Sequence, residues 1–215
     1  MIIYNPNKMI KERIEQAEKI LDKIPVKYCF ITGSFLYKEK YEDIDVFVIS
    51  RSKNKLKDIK KIDKKINLIK IDFNDLHSIF YHSSLKFSVS KNILPLKPLK
   101  LTISDYWHVI NESIPAILNK KNKFKKEIRF AVLYTEYLIN NQILDSYELE
   151  QKLKQFQSHR AILDYLRKEI PIAINKHIKK SYIKRFFYTQ AGYYDLDYKS
   201  QKYLYDLSHD VVAYG

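Results

Sequence analysis

The hydrophobic rhythm of the chain changes near residue 100, and that change limits the folds open to it. Before it, three short runs are rich in β-branched and aromatic residues: VKYCFIT at 26–32, IDVFVI at 44–49 and INLIKIDF at 66–73. Such runs predict strands. After it, apolar residues recur at helical spacing; Phe130, Ala131, Leu133, Tyr134, Tyr137 and Leu138, for example, share one stripe. Residues 104–119, 123–141, 147–155, 157–176, 177–191 and 197–212 are each predicted as helices, with Pro171 bending or breaking the fourth and Gly192 marking a turn. Between the two regimes lies SLKFSVSKNILPLKPLKLTI, interrupted by Pro95 and Pro98 and predicted as irregular chain or edge strand. The expected organisation is an α/β unit of the α+β kind over 1–100, with a small mixed sheet, followed by an all-helical domain over 101–215.

The front half also contains helical patterns. Residues 8–23 place Met9, Ile10, Ile14, Ala17, Ile20 and Leu21 on one face, with Asn5 or Asn7 as the expected cap and Pro25 as the stop. Residues 53–65 read as a heavily basic helix, and 74–82 as a short one starting near Asn74 or Asp75. Hydrophobic residues make up 46% of the chain, enough for a real core. No stretch approaches the ~20 apolar residues that span a bilayer. The N-terminal MIIYNPNKMIKERIEQ turns charged at once and lacks a signal-peptide pattern. These features predict a cytoplasmic protein with no membrane partner. Cys29 is the single cysteine, which excludes an intrachain disulfide and a multi-cysteine metal site. Its setting, YCFIT, predicts a small buried hydrophobe.

Within this frame, ITGSFLYKEKYEDIDVFVI at 31–49 carries chemistry. Strand alternation points Asp43 and Asp45 to one side and Ile44, Val46 and Val48 to the other. Two carboxylates about 7 Å apart on one strand face repel each other, and burying them alone is costly. A hard divalent cation resolves the conflict, and Mg²⁺ or Mn²⁺ suits oxygen ligands completed by substrate phosphates. A third acid, Asp72, stands near the end of the next strand and is expected to approach the pair if the strands are neighbours. Asp75 is its rival, read instead as belonging to a helix start. Three carboxylates suit two ions and in-line phosphoryl chemistry. The chain has only three glycines. One, Gly33, precedes Ser34 between a strand and a helical turn, where backbone N–H groups and the serine hydroxyl can meet a phosphate.

Strand, Gly-Ser, short helix, Asp-Ile-Asp on a strand and a further Asp on another strand together resemble the polymerase-β-like nucleotidyltransferase superfamily, most closely its minimal (MNT-type) branch. The segment IDFNDLHSIFYHSSLKFSVSKNILPL is similar to the stretch after the third acid in that branch. The resemblance covers roughly residues 26–100. It implies Gly33 and Ser34 on the triphosphate of an NTP, Asp43 and Asp45 on two Mg²⁺ (or Mn²⁺) ions, and Asp72 on the catalytic ion and the nucleophile. The connection FLYKEKYE is shorter than is usual in that branch and lacks its Arg-Gly; Lys38 and Lys40 are the cations standing there instead. The implied activity is transfer of an NMP to a hydroxyl acceptor with release of pyrophosphate.

The net charge of +14 favours a polyanionic partner. The run RSKNKLKDIKKIDKKINLIK at 51–70 is its densest part and reads as an RNA-backbone contact or a solvated helix face. RNA is the expected acceptor, a tRNA end for instance, as in nucleotidyltransferase toxins of toxin–antitoxin systems. A protein side chain (AMPylation) or a small molecule such as an antibiotic are the rivals. A non-catalytic nucleic-acid-binding or antitoxin-like protein with a relict site is the alternative of another class. His77 and His82, and the aromatic tract 179–205, read more simply as packing or surface residues than as substrate contacts.

Overall fold

The computed structural model describes residues 1–50, 58–100, 125–175 and 202. Contacts divide the chain into two units, residues 1–100 with 145–150, and residues 101–144 with 151–215. Residues 145–150, expected from sequence in the helical domain, thus go with the first.

The first unit is built on a five-stranded mixed sheet. Its strands are β1 (Ile2–Tyr4), β2 (Cys29–Thr32), β3 (Ile44–Ile49), β4 (Ile66–Ile71) and β5 (Ser88–Ser90), in the order β1-β5-β2-β3-β4. The β3–β4 pair is parallel and the other pairs are antiparallel. Alternation sorts the side chains as expected. Ile44, Val46 and Val48 join Cys29, Ile31 and Val89 beneath helix α1 (Lys11–Lys23), whose Ala17 and Leu21 are fully buried. Phe30, Phe47, Ile49 and Ile71 face the other way, onto Leu76 and Tyr81. Tyr81 belongs to helix α2 (Ile79–Lys86). Burial pushes the Cys29 thiol up to about 11, and Lys91 offsets this only in part, so Cys29 behaves as a core residue.

Several local expectations are corrected. FSVS does not form an edge: β5 pairs with β1 on one side and β2 on the other, and Ser88, Val89 and Ser90 are buried. Pro95 and Pro98 lie beyond the paired residues, so they cost the ladder nothing. Helix α1 begins at Lys11 rather than residue 8. Asn5 takes a left-handed conformation (φ 60°) and starts a separate single turn, Pro6–Lys8. The helix start is held instead by the Ile10 N–H, which donates to the Leu36 carbonyl. The segment expected as a basic helix falls partly outside the described residues; its described end is one 3-10 turn, Ile59–Lys61. It stops because Asp63 accepts from the Lys65 N–H and the Ile66 N–H donates to the Asp63 carbonyl, a turn that competes with helix. Asn74 and Asp75 lead into a short turn, Asp75–His77, and α2 starts later, where the Ser78 hydroxyl accepts from the Tyr81 N–H.

Residues 145–150 are fastened to the first unit. Asp145, fully buried, accepts from the Tyr147 and Glu148 N–H groups near the start of a further helix (Ser146–Lys154), while Glu148 reaches back to the Asp145 N–H. This reciprocal cap leaves the second Asp145 oxygen for the Asn5 amide, 3.2 Å away. Asp145→Ala is expected to destabilise the protein by about 2 kcal/mol, and Asp145→Asn to recover most of it. Thermal unfolding followed by circular dichroism measures both; equal melting of wild type and Asp145→Ala would refute the role.

The helices of the second unit's described residues are joined by short non-helical links, 141–144 and 155–158. Helix α3 (Lys125–Asn140) packs on α5 (His159–Asn175); between them in the chain runs α4 (Ser146–Lys154), of which only residues 151–154 belong to this unit. Helix α5 continues through Pro171 rather than ending there. A proline removes one helical hydrogen bond, and the helix tolerates that loss here. Glu136, nearly buried, accepts from the Tyr165 hydroxyl, Lys152 and the Asn140 amide. Burial raises the Glu136 carboxyl, but these donors outweigh it and hold the group below its usual range. The helices expected over 104–119, 177–191 and 197–212, with Trp107 and Gly192, lie outside the described residues apart from Lys202. Among the described residues no helix is long and apolar enough to cross a membrane.

Candidate active site

One end of the sheet carries a row of polar side chains. Register places Tyr4 opposite Ser88, Ser88 opposite Thr32, Thr32 opposite Asp45 and Asp45 opposite Asn67. Residues paired in register project to the same face, so all five share it. The inner members are satisfied locally. Thr32 donates to the Phe87 carbonyl, and Ser88 to the Leu85 carbonyl at 2.8 Å. Asp45 Oδ1 accepts from the Asn67 amide at 2.8 Å.

Gly33 leaves the ladder immediately after Thr32, with φ 87° and ψ −163°. That region is essentially restricted to glycine. A side chain there would also press on the site, since a Cβ at Gly33 would stand 2.8 Å from Asp45 Oδ2 and one of the two would have to shift. Ser34 then opens a single 3-10 turn, Ser34–Leu36, and its carbonyl accepts from the Tyr37 and Lys38 N–H groups. The leading N–H groups of any such turn lack an intrahelical partner. Asp43 stands just before β3, two residues from Asp45 and at the same end of the sheet. Gly33, Ser34, Asp43 and Asp45 are therefore brought together. Asp43, Asp45 and Ser34 are partly exposed, so solvent and a ligand can reach them.

The connection from Phe35 to Glu42 is pinned at several points. Arg13 lies over the Tyr41 ring at 4.4 Å and donates to the Glu39 carbonyl, and Lys65 also lies 4.4 Å from the Tyr41 centroid. Lys38, expected on the phosphates, is paired with Glu150 at 2.8 Å, and the same carboxylate accepts from the Tyr37 hydroxyl. Lys40 is exposed on the same connection.

The register corrects the expectation for Asp72. Because β3 and β4 run parallel, Asp45 faces Asn67 near their beginnings, whereas Asp72 follows their far end. Asp72 lies five positions beyond Asn67, about 16 Å along the strand direction, and its parity is that of the opposite face. Its carboxylate accepts from the Asn74 N–H, and its carbonyl from the Asp75 N–H. Asp72 thus forms the turn into residues 75–77. Asp75 is exposed in that turn. The His82 ring bonds the Lys97 carbonyl, and the backbone carbonyl of His77 accepts from the Lys100 N–H.

No family model, no curated protein and no solved structure matches this chain.

The donor set decides what the centre can hold. Asp43 and Asp45 offer carboxylate oxygens beside a backbone turn, which suits one Mg²⁺ completed by water and phosphate oxygens. Among the described residues no group of three or more His, Cys, Asp or Glu side chains is placed to hold a metal. Two partners in this region carry no mark in the sequence. Asn67 meets Asp45 only because β3 and β4 pair from their first residues, which a single sequence does not specify. Glu150 stands 113 positions from Tyr37, and nothing local marks it as the partner of Tyr37 and Lys38.

Proposed function

We propose that the chain is a metal-dependent nucleotidyltransferase of the polymerase-β-like kind. The observation that carries this reading is the Gly33–Asp45 juxtaposition: a glycine in a glycine-only conformation, followed by serine, packed against a strand carboxylate with a second carboxylate two residues away. Such a turn lets backbone groups approach the triphosphate of an NTP without side-chain obstruction. Asp43 and Asp45 would hold the divalent ion that accompanies the nucleotide, and that ion supplies neutralisation of the phosphate charge. The acceptor hydroxyl attacks the α-phosphorus, the bond to the bridging oxygen of pyrophosphate breaks, and the acceptor proton passes to solvent. The protein contributes mostly position and charge, as phosphoryl chemistry requires.

On this reading the first unit is the nucleotidyltransferase fold of a cytoplasmic enzyme, and the second is a helical domain that receives the acceptor. The +14 charge supports RNA as that acceptor. Incubation with each labelled NTP, Mg²⁺ and total RNA is expected to transfer label to RNA. Parallel incubations with lysate protein and with aminoglycosides assign the acceptor if RNA stays unlabelled. Absence of transfer to any of the three defeats the enzyme reading.

A second reading draws on a specific observation. An amide stands opposite Asp45 and the third acid lies at the other end of the strand, which favours a non-catalytic nucleotide- or nucleic-acid-binding protein. It predicts saturable NTP or RNA binding without transfer.

A further inference from the structure

We infer that Asn67 limits the centre to a single divalent ion, the one that travels with the nucleotide. This rests on the Mg·NTP reading and concerns the number of ions the same site accepts.

The position of Asn67 is set by the sheet. Parallel pairing puts it directly opposite Asp45 on the same face, the nearest place on β4 from which a side chain can share a ligand with Asp45. Its amide nitrogen donates to Asp45 Oδ1 at 2.8 Å. Asn67 is exposed, so its identity is not imposed by core packing. Two paired ions sit only about 4 Å apart and need anionic oxygens from more than one side. Asp43 and Asp45 supply two carboxylates from one strand and its leading residue. A carboxylate at 67 would supply the third from the neighbouring strand; the amide is neutral and turns its donor toward the oxygen that a second ion would use. Asp72 cannot substitute, because the strand carries it about 16 Å away. The remaining described acids form no group that makes up the deficit.

The consequence is a division of labour. Asp45 keeps Oδ2 beside the Gly33 backbone, on the nucleotide side, while Oδ1 is held by Asn67. The acceptor hydroxyl then meets the α-phosphorus without a second ion beside it.

Ion counting tests this directly. Mn²⁺ binding is measured by electron paramagnetic resonance in the presence of nucleoside triphosphates whose α–β bridging oxygen is replaced by methylene, for wild type, Asn67→Asp and Asn67→Ala. The expected result is one Mn²⁺ per chain for wild type and Asn67→Ala, and two for Asn67→Asp. Asn67→Ala separates loss of the hydrogen bond from gain of the charge. Melting temperatures establish that each variant is folded. Two ions in wild type, or one ion in a folded, nucleotide-binding Asn67→Asp, overturn the inference and leave the nucleotide reading intact. Failure of wild type to retain any Mn²⁺–nucleotide overturns both.

Discussion

Asp45→Ala is expected to reduce nucleotidyl transfer by roughly 10²–10³-fold, the scale seen when one preorganised electrostatic group is removed from an active site. Asp45 is the side chain on which three features of the site meet: the Gly33 backbone at one oxygen, the Asn67 amide at the other, and Asp43 two residues away. Removing it leaves one carboxylate, which is too few for a divalent ion in competition with water and free phosphate. The fold should not suffer, because loss of a carboxylate relieves repulsion from Asp43 and the exposed Asn67 amide is resolvated. Asp72→Asn is the contrasting variant. The sequence alone gives it equal rank in a triad, whereas its place beyond the far end of β4 predicts transfer and Mn²⁺–nucleotide binding within about twofold of wild type, since asparagine can still accept from the Asn74 N–H. Transfer of labelled NMP, read beside melting temperature, checks both. The reverse ranking, with Asp72→Asn inactive and Asp45→Ala active, would reject this site.

The difference between Asp45 and Asp72 also marks the boundary of legibility in the sequence. Alternation within one strand is a local property, so the facing of Asp45 away from Ile44, Val46 and Val48 is readable from the side-chain period alone, and the core on each side of the sheet agrees with it. The stripe of α1 is readable for the same reason, down to Ala17 and Leu21. Register is not local. Whether Asp45 meets Asn67 or Asp72 depends on the direction and offset of β4, which INLIKIDF does not encode by itself. The centrality of β5 is hidden likewise. SVS has few apolar residues, and it is buried because its serines bond backbone carbonyls nearby, Ser88 to Leu85 and Ser90 to Asn92. The attachment of 145–150 is illegible because it spans the chain: Asn5 to Asp145, Lys86 to Glu148 and Lys38 to Glu150. That last pair also alters the role expected of Lys38, whose charge is engaged by a carboxylate rather than waiting for phosphate.

Gly33→Ala should lower stability and ion binding together, because one methyl group causes both losses. The backbone effect alone, forcing a Cβ into a region populated almost only by glycine, costs about 1–3 kcal/mol. For a chain of this size that is about 2–4 °C of melting temperature per kcal/mol. A second effect adds to it. The new methyl group would stand 2.8 Å from Asp45 Oδ2, closer than such atoms approach, so the carboxylate must swing away or the turn must move. Asp45 is not free to swing without cost, because Asn67 holds its other oxygen. The displaced carboxylate then no longer faces the nucleotide side, and Mn²⁺–nucleotide binding is expected to fall at least as far as in Asp45→Ala. A double-mutant comparison separates the two effects. In an Asp45→Ala background the clash is absent, and Gly33→Ala should cost only its backbone part. The destabilisation by Gly33→Ala should therefore be smaller there than in wild type by about 1 kcal/mol, within the range for residues in contact. Equal destabilisation in the two backgrounds would mean that Asp45 does not press on Gly33, and the phosphate seat would lose the contact that defines it.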